Sequence, residues 1–211
     1  MVKEEAYRPK RQHNPTPKKR LFSPSTLIAI FFGLIMMTST IGFIASYTSD
    51  GSDTVTYNGF KFVRTNQGYS VVVNEQELLF GALPDSLTNI LLDDQIVDRI
   101  RDAESVTLTY DPQSQINTTG GLIEYELENV LGQVLDIYVQ RAVINNTPFP
   151  SLLQADCSQA TVYVPVISWE LGNESAFKLE GDCIRAIARS DIDALRLSER
   201  LSYRLLGVMS S

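Results

Sequence analysis

The strongest hydrophobic pattern in the chain is the segment 21–47, which contains no charged residue. A membrane-spanning helix needs about 20 apolar residues at a rise of about 1.5 Å each, and this segment supplies them. Ser23 and Pro24 are typical of a helix start, with a hydroxyl at the N-cap and a proline at the first helical position. The pattern predicts one transmembrane helix over residues 23–47. A cleaved signal peptide is the alternative, but its apolar core is usually about 7–15 residues long.

Positions 54–80 alternate between apolar and polar residues, which predicts a β-meander. Asn58 and Gly59 suit a type I′ turn because both positions of that turn require positive φ. The resulting hairpin places apolar residues opposite each other on one face, Tyr57 with Phe60 and Val55 with Phe62. Polar residues at 66–68 and 74–75 predict the next two turns.

From residue 90 onward, short apolar runs alternate with helical periodicity. The predicted strands are 90–92, 105–110, 134–143, 161–171, 176–179 and 183–188. The predicted helices are 94–103, 122–131 and 191–207. Strands that alternate with helices are typical of βαβ units and a partly parallel sheet. The predicted fold class is therefore α/β, or mixed α+β, in which an N-terminal β-meander is followed by βαβ units and a C-terminal amphipathic helix on a mixed sheet.

The last predicted helix has an apolar stripe and a basic row. Its apolar residues recur every three or four positions and are expected to pack on the sheet. The basic residues Arg196, Arg200 and Arg204 follow one another at intervals of four. Two interpretations are open: a solvated helix face, or a face that docks on lipid phosphates or an acidic partner. Under the second, changing all three to Gln would weaken association and leave the melting temperature nearly unchanged.

Charge divides the chain at the apolar segment. Residues 1–20 contain seven basic and two acidic residues, whereas the whole chain carries a net charge of −7. The tail is therefore +5 and residues 48–211 are −12. The positively charged segment that flanks a transmembrane helix usually stays in the cytoplasm. The predicted organisation is a disordered basic cytoplasmic tail (1–22), the transmembrane helix (23–47), a linker (48–53) and an extracytoplasmic domain (54–211) in the cell membrane.

Two kinds of covalent modification are predicted in this outer domain. The cysteines of the chain, Cys157 and Cys183, are expected to form a disulfide, because an even number of cysteines in an oxidising compartment is typical of one. A reactive thiol pair is the alternative. Three glycosylation sequons fall in predicted loops and begin at Asn117, Asn145 and Asn173.

Catalytic and cofactor motifs are not recognisable. The single histidine, His13, lies in the tail, which removes Ser-His-Asp, Cys-His and His-metal chemistry from the outer domain. Residues 118–121 could bind an anion as a helix start, but no lysine accompanies them and three glutamates follow. Glu124 and Glu128 could hold a hard cation, although a solvated acidic face is the commoner use of such a pair. Trp169 could mark a binding surface or belong to the core. The sequence predicts no cofactor and no enzyme activity.

Several short segments resemble a group of uncharacterised archaeal single-pass membrane proteins. These segments are the basic tail with its single span, the 57–62 hairpin, Tyr110-Asp111-Pro112, the paired cysteines and the terminal 200–209 stretch. The resemblance implies no activity, substrate or site residue. It implies a prokaryotic cell membrane rather than an endoplasmic reticulum, in organisms whose surfaces commonly carry N-glycans.

The sequence favours a membrane-anchored interaction or structural module of the cell envelope. An accessory or sensor subunit that couples an outside ligand to the tail is the alternative, and an enzyme that uses carboxylates alone is a third. The expected partners are membrane lipids and an envelope or membrane protein, with no nucleic acid. Small residues spaced four apart, such as Ala29 and Gly33, would allow the spanning helix to self-associate.

Overall fold

The computed structural model describes residues 24–48, 53–147 and 149–210, except for the side chains of residues 24, 27, 39–48 and 117. The chain divides into two compact units, residues 1–51 and 52–211. The basic tail and most of the predicted linker lie outside the described residues, so the predictions made for them stay predictions.

The first unit contains α1, which covers Pro24–Thr48 and is 25 residues long. Its described apolar side chains are exposed, with Phe31 at 61 % and Met36 at 75 %. The predicted helix is therefore confirmed. When only the described residues are considered, none of the helices has the length and apolar character needed to cross a membrane. The membrane crossing stays a prediction.

The predicted β-meander is confirmed as an antiparallel sheet in the order β1-β2-β3-β4. Its strands are β1 (Thr54–Tyr57), β2 (Phe60–Thr65), β3 (Gly68–Val73) and β4 (Gln76–Phe80). Tyr57 lies opposite Phe60 and Val55 opposite Phe62, as predicted. The turn between β1 and β2 holds Asn58 and Gly59 at φ of 48° and 85°, which is the left-handed conformation that a type I′ turn requires.

The second sheet is six-stranded, with the order β7-β6-β5-β8-β10-β9. Its strands are β5 (Ser105–Tyr110), β6 (Tyr138–Val143), β7 (Leu153–Gln154), β8 (Val166–Leu171), β9 (Ala176–Glu180) and β10 (Cys183–Ala188). Every pair is parallel except β9 with β10. The helices are α2 (Asp94–Arg101), α3 (Asn117–Glu128) and α4 (Asp191–Leu205). The predicted mixed sheet and its βαβ unit, β5–α3–β6, are confirmed.

The helix α4 is covered by both sheets. Its apolar stripe, which includes Ala194 and Leu197, shares one core with Ile184 of β10. On the meander side, the ring of Tyr203 lies 5.9 Å from that of Phe62, edge-on, and 4.3 Å from that of Phe80 of β4. The amphipathic helix therefore packs on the mixed sheet as predicted, but it also carries a second layer on its other side.

The burial of Arg200 and Arg204 contradicts the predicted arginine row. Arg196 is half-buried, whereas Arg200 and Arg204 are only 5 % and 8 % exposed. Arg200 donates from Nε to the carbonyl oxygen of Ile90 at 3.1 Å and from Nη1 to the sulfur of Met209 at 3.0 Å. Burial, and secondarily the neighbouring Arg204, lower the pKa of Arg200. Neither a solvated face nor a docking face is correct for Arg200 and Arg204, because the segments before α2 and after α4 cover them.

Arg204 fastens two further segments to α4. Its Nη1 donates to the carbonyl oxygen of Met209 at 3.1 Å, and its guanidinium forms an ion pair with Asp94 at the start of α2. The chain after α4 and the start of α2 are thus both tied to this helix. These contacts assign Arg200 and Arg204 to the architecture of the unit rather than to its surface.

Several predicted boundaries differ from the structure. The predicted strand 90–92 is wrong: Ile90 and Leu92 are buried and Leu91 is 85 % exposed, but this extended segment pairs with no strand in the described part of the chain. The predicted strand 134–143 begins only at 138 because a π-helical turn, Asn129–Val134, extends α3. The predicted strand 161–171 begins at 166.

The helix α3 begins five residues before its predicted start, so residues 118–121 form its first turn. A Cβ at Gly120 would approach the ring of Tyr110 to 2.9 Å. The glycine therefore serves close packing of α3 on β5. Whether this first turn binds an anion stays open.

The predicted disulfide is confirmed. Cys157 and Cys183 are bonded, with their Cα atoms 5.2 Å apart. The bond ties a short 3-10 helix, Cys157–Gln159, to the first residue of β10. The same segment contributes the carbonyl oxygen of Ala155, which accepts a hydrogen bond from the buried hydroxyl of Thr109 at 2.8 Å. The long connection before β8 is thus fixed onto the face of the sheet that the helices do not cover.

Candidate binding groove

A groove runs between the edge strand β4 and the outward faces of α3 and α4. It consists of two adjoining hollows of about 470 and 480 Å³. Both hollows are lined by Gln67, Leu79, Phe80, Leu122 and Glu126. Concave surfaces with mixed apolar and polar linings are the usual places where proteins bind ligands or partners. We refer to this feature as the β4 groove.

One wall of the β4 groove is an open strand edge. The hairpin that joins β3 to β4 has two residues in its turn, Asn74 and Glu75, at φ of 49° and 66°. Such a turn closes on a hydrogen-bonded pair, and pairs then alternate along the strands. Val73 and Gln76 form the hydrogen-bonded pair next to the turn. The residues of β4 that belong to the non-hydrogen-bonded pairs are therefore Glu77 and Leu79. The backbone N–H and C=O groups of these two residues therefore point out of the sheet.

The opposite wall is one face of α3 and its π-helical extension. The lining residues recur at helical spacing, which places them on one side of the helix: Leu122, Tyr125, Glu126, Asn129 and Gln133. Leu122 is 45 % exposed and Tyr125 is 57 % exposed, and Leu79 across the groove is also 45 % exposed. Three large apolar side chains thus face solvent around one concavity, a pattern that marks interaction sites more often than bare surface.

The helix α4 contributes a buried carboxylate to the end of the groove. The Oε1 atom of Glu199 accepts hydrogen bonds from the backbone N–H of Gly81 and, at 3.2 Å, of Ala82. The hydroxyl of Tyr203 donates to the carbonyl oxygen of Ala82 at 2.7 Å. Burial raises the pKa of Glu199, although the two N–H donors oppose the shift. The same burial raises the pKa of Tyr203, and Glu199 adds to it. These bonds hold the end of β4 against α4.

Glu126 is a carboxylate of the groove with a markedly raised pKa. Its side chain is half-buried on α3. Loss of hydration, followed by the nearby charge of Glu199, raises the pKa of Glu126 to about 7. Of the described groove residues only Arg196 is basic, and it is engaged with the carbonyl oxygen of Ser86 at 2.8 Å. The β4 groove therefore has acidic character, with Glu77, Glu126 and Glu199 along its length.

The residues that the sequence singled out do not gather at this groove. Arg196 lines one end of it, but Arg200 and Arg204 are buried elsewhere along α4. The disulfide lies on the opposite face of the six-stranded sheet. Trp169 is 1 % exposed and packs edge-on against Phe177 at 6.3 Å, so it belongs to the core.

The sequons lie in three different settings. Asn173 is exposed in the turn between β8 and β9, and Asn145 lies in the loop after β6, where its Oδ1 accepts a hydrogen bond from the backbone N–H of Thr147 at 3.0 Å. Asn117 is the first residue of α3, so its predicted loop position is wrong. Whether the three asparagines carry glycans stays a prediction.

The glutamate pair on α3 is divided between two roles. Glu128 forms an ion pair with Arg141 of β6. Glu124 is 6 % exposed, its Oε1 atom has no hydrogen-bond partner, and burial raises its pKa to about 7. No cluster of three or more histidine, cysteine or acidic side chains placed to hold a metal ion occurs among the described residues. The two glutamates do not form a cation site together.

The groove residues were missed by sequence reasoning for a clear reason. Leu79, Glu126 and Glu199 come from three elements that only the tertiary fold brings together. The sequence held one weak local signal. In the alternating pattern of β4, Leu79 is an apolar residue at a position that faces solvent. No family model matches the chain, and neither a curated protein nor a solved structure matches it.

Proposed function

We propose that this chain is a membrane-anchored interaction module that binds a segment of a partner protein in the β4 groove. The observation that carries the proposal is the groove itself, an open strand edge facing a helix wall with exposed Leu79, Leu122 and Tyr125. Peptide recognition beside a strand edge takes its affinity from main-chain hydrogen bonds and its selectivity from flanking pockets. The groove offers both components.

The membrane anchor and its orientation are supported by composition. The segment 21–47 is uncharged over a length sufficient for a bilayer, and the flanking charge changes from +5 to −12 across it. The disulfide between Cys157 and Cys183 fits an oxidising compartment outside the cytoplasm. With this orientation the β4 groove faces the cell envelope, where an envelope or membrane protein would be its partner.

Site-specific photocrosslinking in the native membrane tests the proposal. Tyr125 in the groove and Tyr138 at the start of β6 are both exposed tyrosines, at 57 % and 70 %, and each can be replaced by p-benzoylphenylalanine in the full chain. We expect a discrete adduct with one partner from position 125 and none from position 138. Leu122→Asp in the same chain should abolish the adduct. Equal adducts from both positions, or an adduct that survives Leu122→Asp, would refute binding in the groove.

A further inference from the structure

We propose that the segment bound in the β4 groove is an extended strand that pairs with β4 and places a lysine or arginine side chain against Glu126. This inference rests on the proposed function and specifies the chemistry of the partner. It follows from three properties of the groove: the free backbone groups of β4, the length of the edge and the sign of the charge.

The free backbone groups define how the partner binds. Glu77 and Leu79 direct their N–H and C=O groups away from β3, and no backbone–backbone hydrogen bond to them from outside the meander occurs in the described chain. An unpaired strand edge is a template for another strand, which lies about 4.8 Å away when it pairs. Glu77 and Leu79 each offer one N–H and one C=O group, so together they can form four main-chain hydrogen bonds with an added strand.

The length of the edge limits the bound segment. β4 contains five residues, which corresponds to about 17 Å of extended chain. Alternate side chains of an added strand point to the same side, so those directed at α3 come from positions two apart. One such position meets the apolar wall of Leu122 and Tyr125, and its neighbour two residues away meets Glu126. The recognised pattern is therefore an apolar and a basic residue separated by one residue.

The charge of the groove selects the sign of the ligand. Glu126 is half-buried beside a second carboxylate, Glu199, and the only basic residue among the described groove residues is already bonded to Ser86. Loss of hydration, followed by the charge of Glu199, raises the pKa of Glu126. An ammonium or guanidinium group from the partner would stabilise the ionised form of Glu126, whereas an acidic partner would meet repulsion from the carboxylates of the groove.

A random peptide library gives a direct test with a defined probe. Phage-displayed dodecapeptides are selected on the full chain purified in mild detergent, and the enriched peptides are sequenced. We expect enrichment of Lys or Arg two positions from a large apolar residue. In a synthetic copy of an enriched peptide, changing the basic residue to Met should weaken binding about tenfold, the effect expected of one partly desolvated charge pair.

Variants of the chain separate charge from strand pairing. Glu126→Gln should remove the preference for Lys or Arg while other peptides still bind, and Glu126→Lys should reverse the preference to Asp or Glu. Leu79→Pro removes an outward N–H from β4 and should weaken every enriched peptide, whereas Thr56→Pro, the corresponding change on the other edge strand β1, should leave binding intact. Equal melting temperatures of the two proline variants would show that both are folded alike.

The outcomes distinguish this inference from the proposed function. Peptides that bind with no basic preference, or with a preference that survives Glu126→Gln, would overturn the inference and leave the groove as a binding site. Binding that is equally sensitive to Leu79→Pro and Thr56→Pro would overturn strand pairing at β4. Enrichment that is unchanged by Leu122→Asp would overturn the groove itself and with it the proposed function.

Discussion

Replacing Arg200 by methionine tests whether its buried guanidinium ties the segments before α2 and after α4 to this helix. Methionine keeps the unbranched stem and much of the volume of arginine, so the cavity that it leaves is small. It removes the guanidinium that bonds the carbonyl oxygen of Ile90 at 3.1 Å and the sulfur of Met209 at 3.0 Å. A hydrogen bond from a charged group contributes about 1.5–3 kcal/mol, and a buried carbonyl left without a donor costs about 1–3 kcal/mol. Methionine also removes the free-energy cost of burying a positive charge, which offsets part of this loss.

The net destabilisation should be about 2 kcal/mol. For a unit of this size, 1 kcal/mol shifts the melting temperature by about 2–4 °C, so Arg200→Met should melt about 4–8 °C below the wild type. Circular dichroism of the full chain in detergent at neutral pH measures the shift. Arg189→Met is the matched control because Arg189 is exposed next to the start of α4, and exposed substitutions usually change stability by less than about 0.5 kcal/mol. If Arg200→Met melted within 1 °C of the control, the arginine row would be a surface feature after all.

Three other predictions follow from the same structure. Non-reducing peptide mass spectrometry should find Cys157 linked to Cys183 within one chain, and replacing both by Ser should lower the free energy of unfolding by roughly 3 kcal/mol; free thiols in protein isolated under thiol-blocking conditions would contradict the bond. Burial raises the pKa of Glu124 from 4.5 to about 7, so the folded chain retains a proton that the unfolded chain has lost, and stability should fall as the pH rises through this interval. In urea titrations Glu124→Gln should therefore match the wild type at pH 4 and exceed it by about 3 kcal/mol at pH 8, whereas the exposed Glu104→Gln should follow the wild type throughout. Protease added to spheroplasts should digest the domain 54–211 and spare an amino-terminal tag, and a protected domain would overturn the orientation.

Features encoded by neighbouring residues were predictable. The β1–β2 hairpin was predicted in its exact register, since the Asn58-Gly59 turn and the apolar pairs beside it specify the same alignment. The limits of β5 and β10 were also predicted, and Ser190 caps α4 by accepting a hydrogen bond from the backbone N–H of Asp193. In each case the signal lies within a few residues of the feature that it determines.

Features that depend on a distant element were not predictable. The pattern at Gly120 and Gly121 indicated the end of a loop, but Gly120 lies within α3. A glycine is needed there because the ring of Tyr110 occupies the space that a Cβ would take. The basic row of α4 was interpreted as a surface because nothing in its own sequence indicates that the segments around Ile90 and Met209 cover Arg200 and Arg204. The β4 groove has the same origin, since its walls come from segments about 45 and 70 residues apart along the chain.

The position of α4 explains both the buried arginines and the groove. A helix covered on two sides must satisfy its polar side chains internally, and Arg200, Arg204 and Glu199 do so by bonding the backbone of the segments that surround them. Glu199 uses its carboxylate to hold the residues just after β4, so the same bond that anchors the meander fixes where the edge of β4 lies. Burial raises the pKa of Glu126 most, and the charge of Glu199 adds to the shift. The bond that attaches the meander to α4 therefore also places a second carboxylate near Glu126, and under the proposed binding mode a cationic side chain of the partner would offset the charge of both.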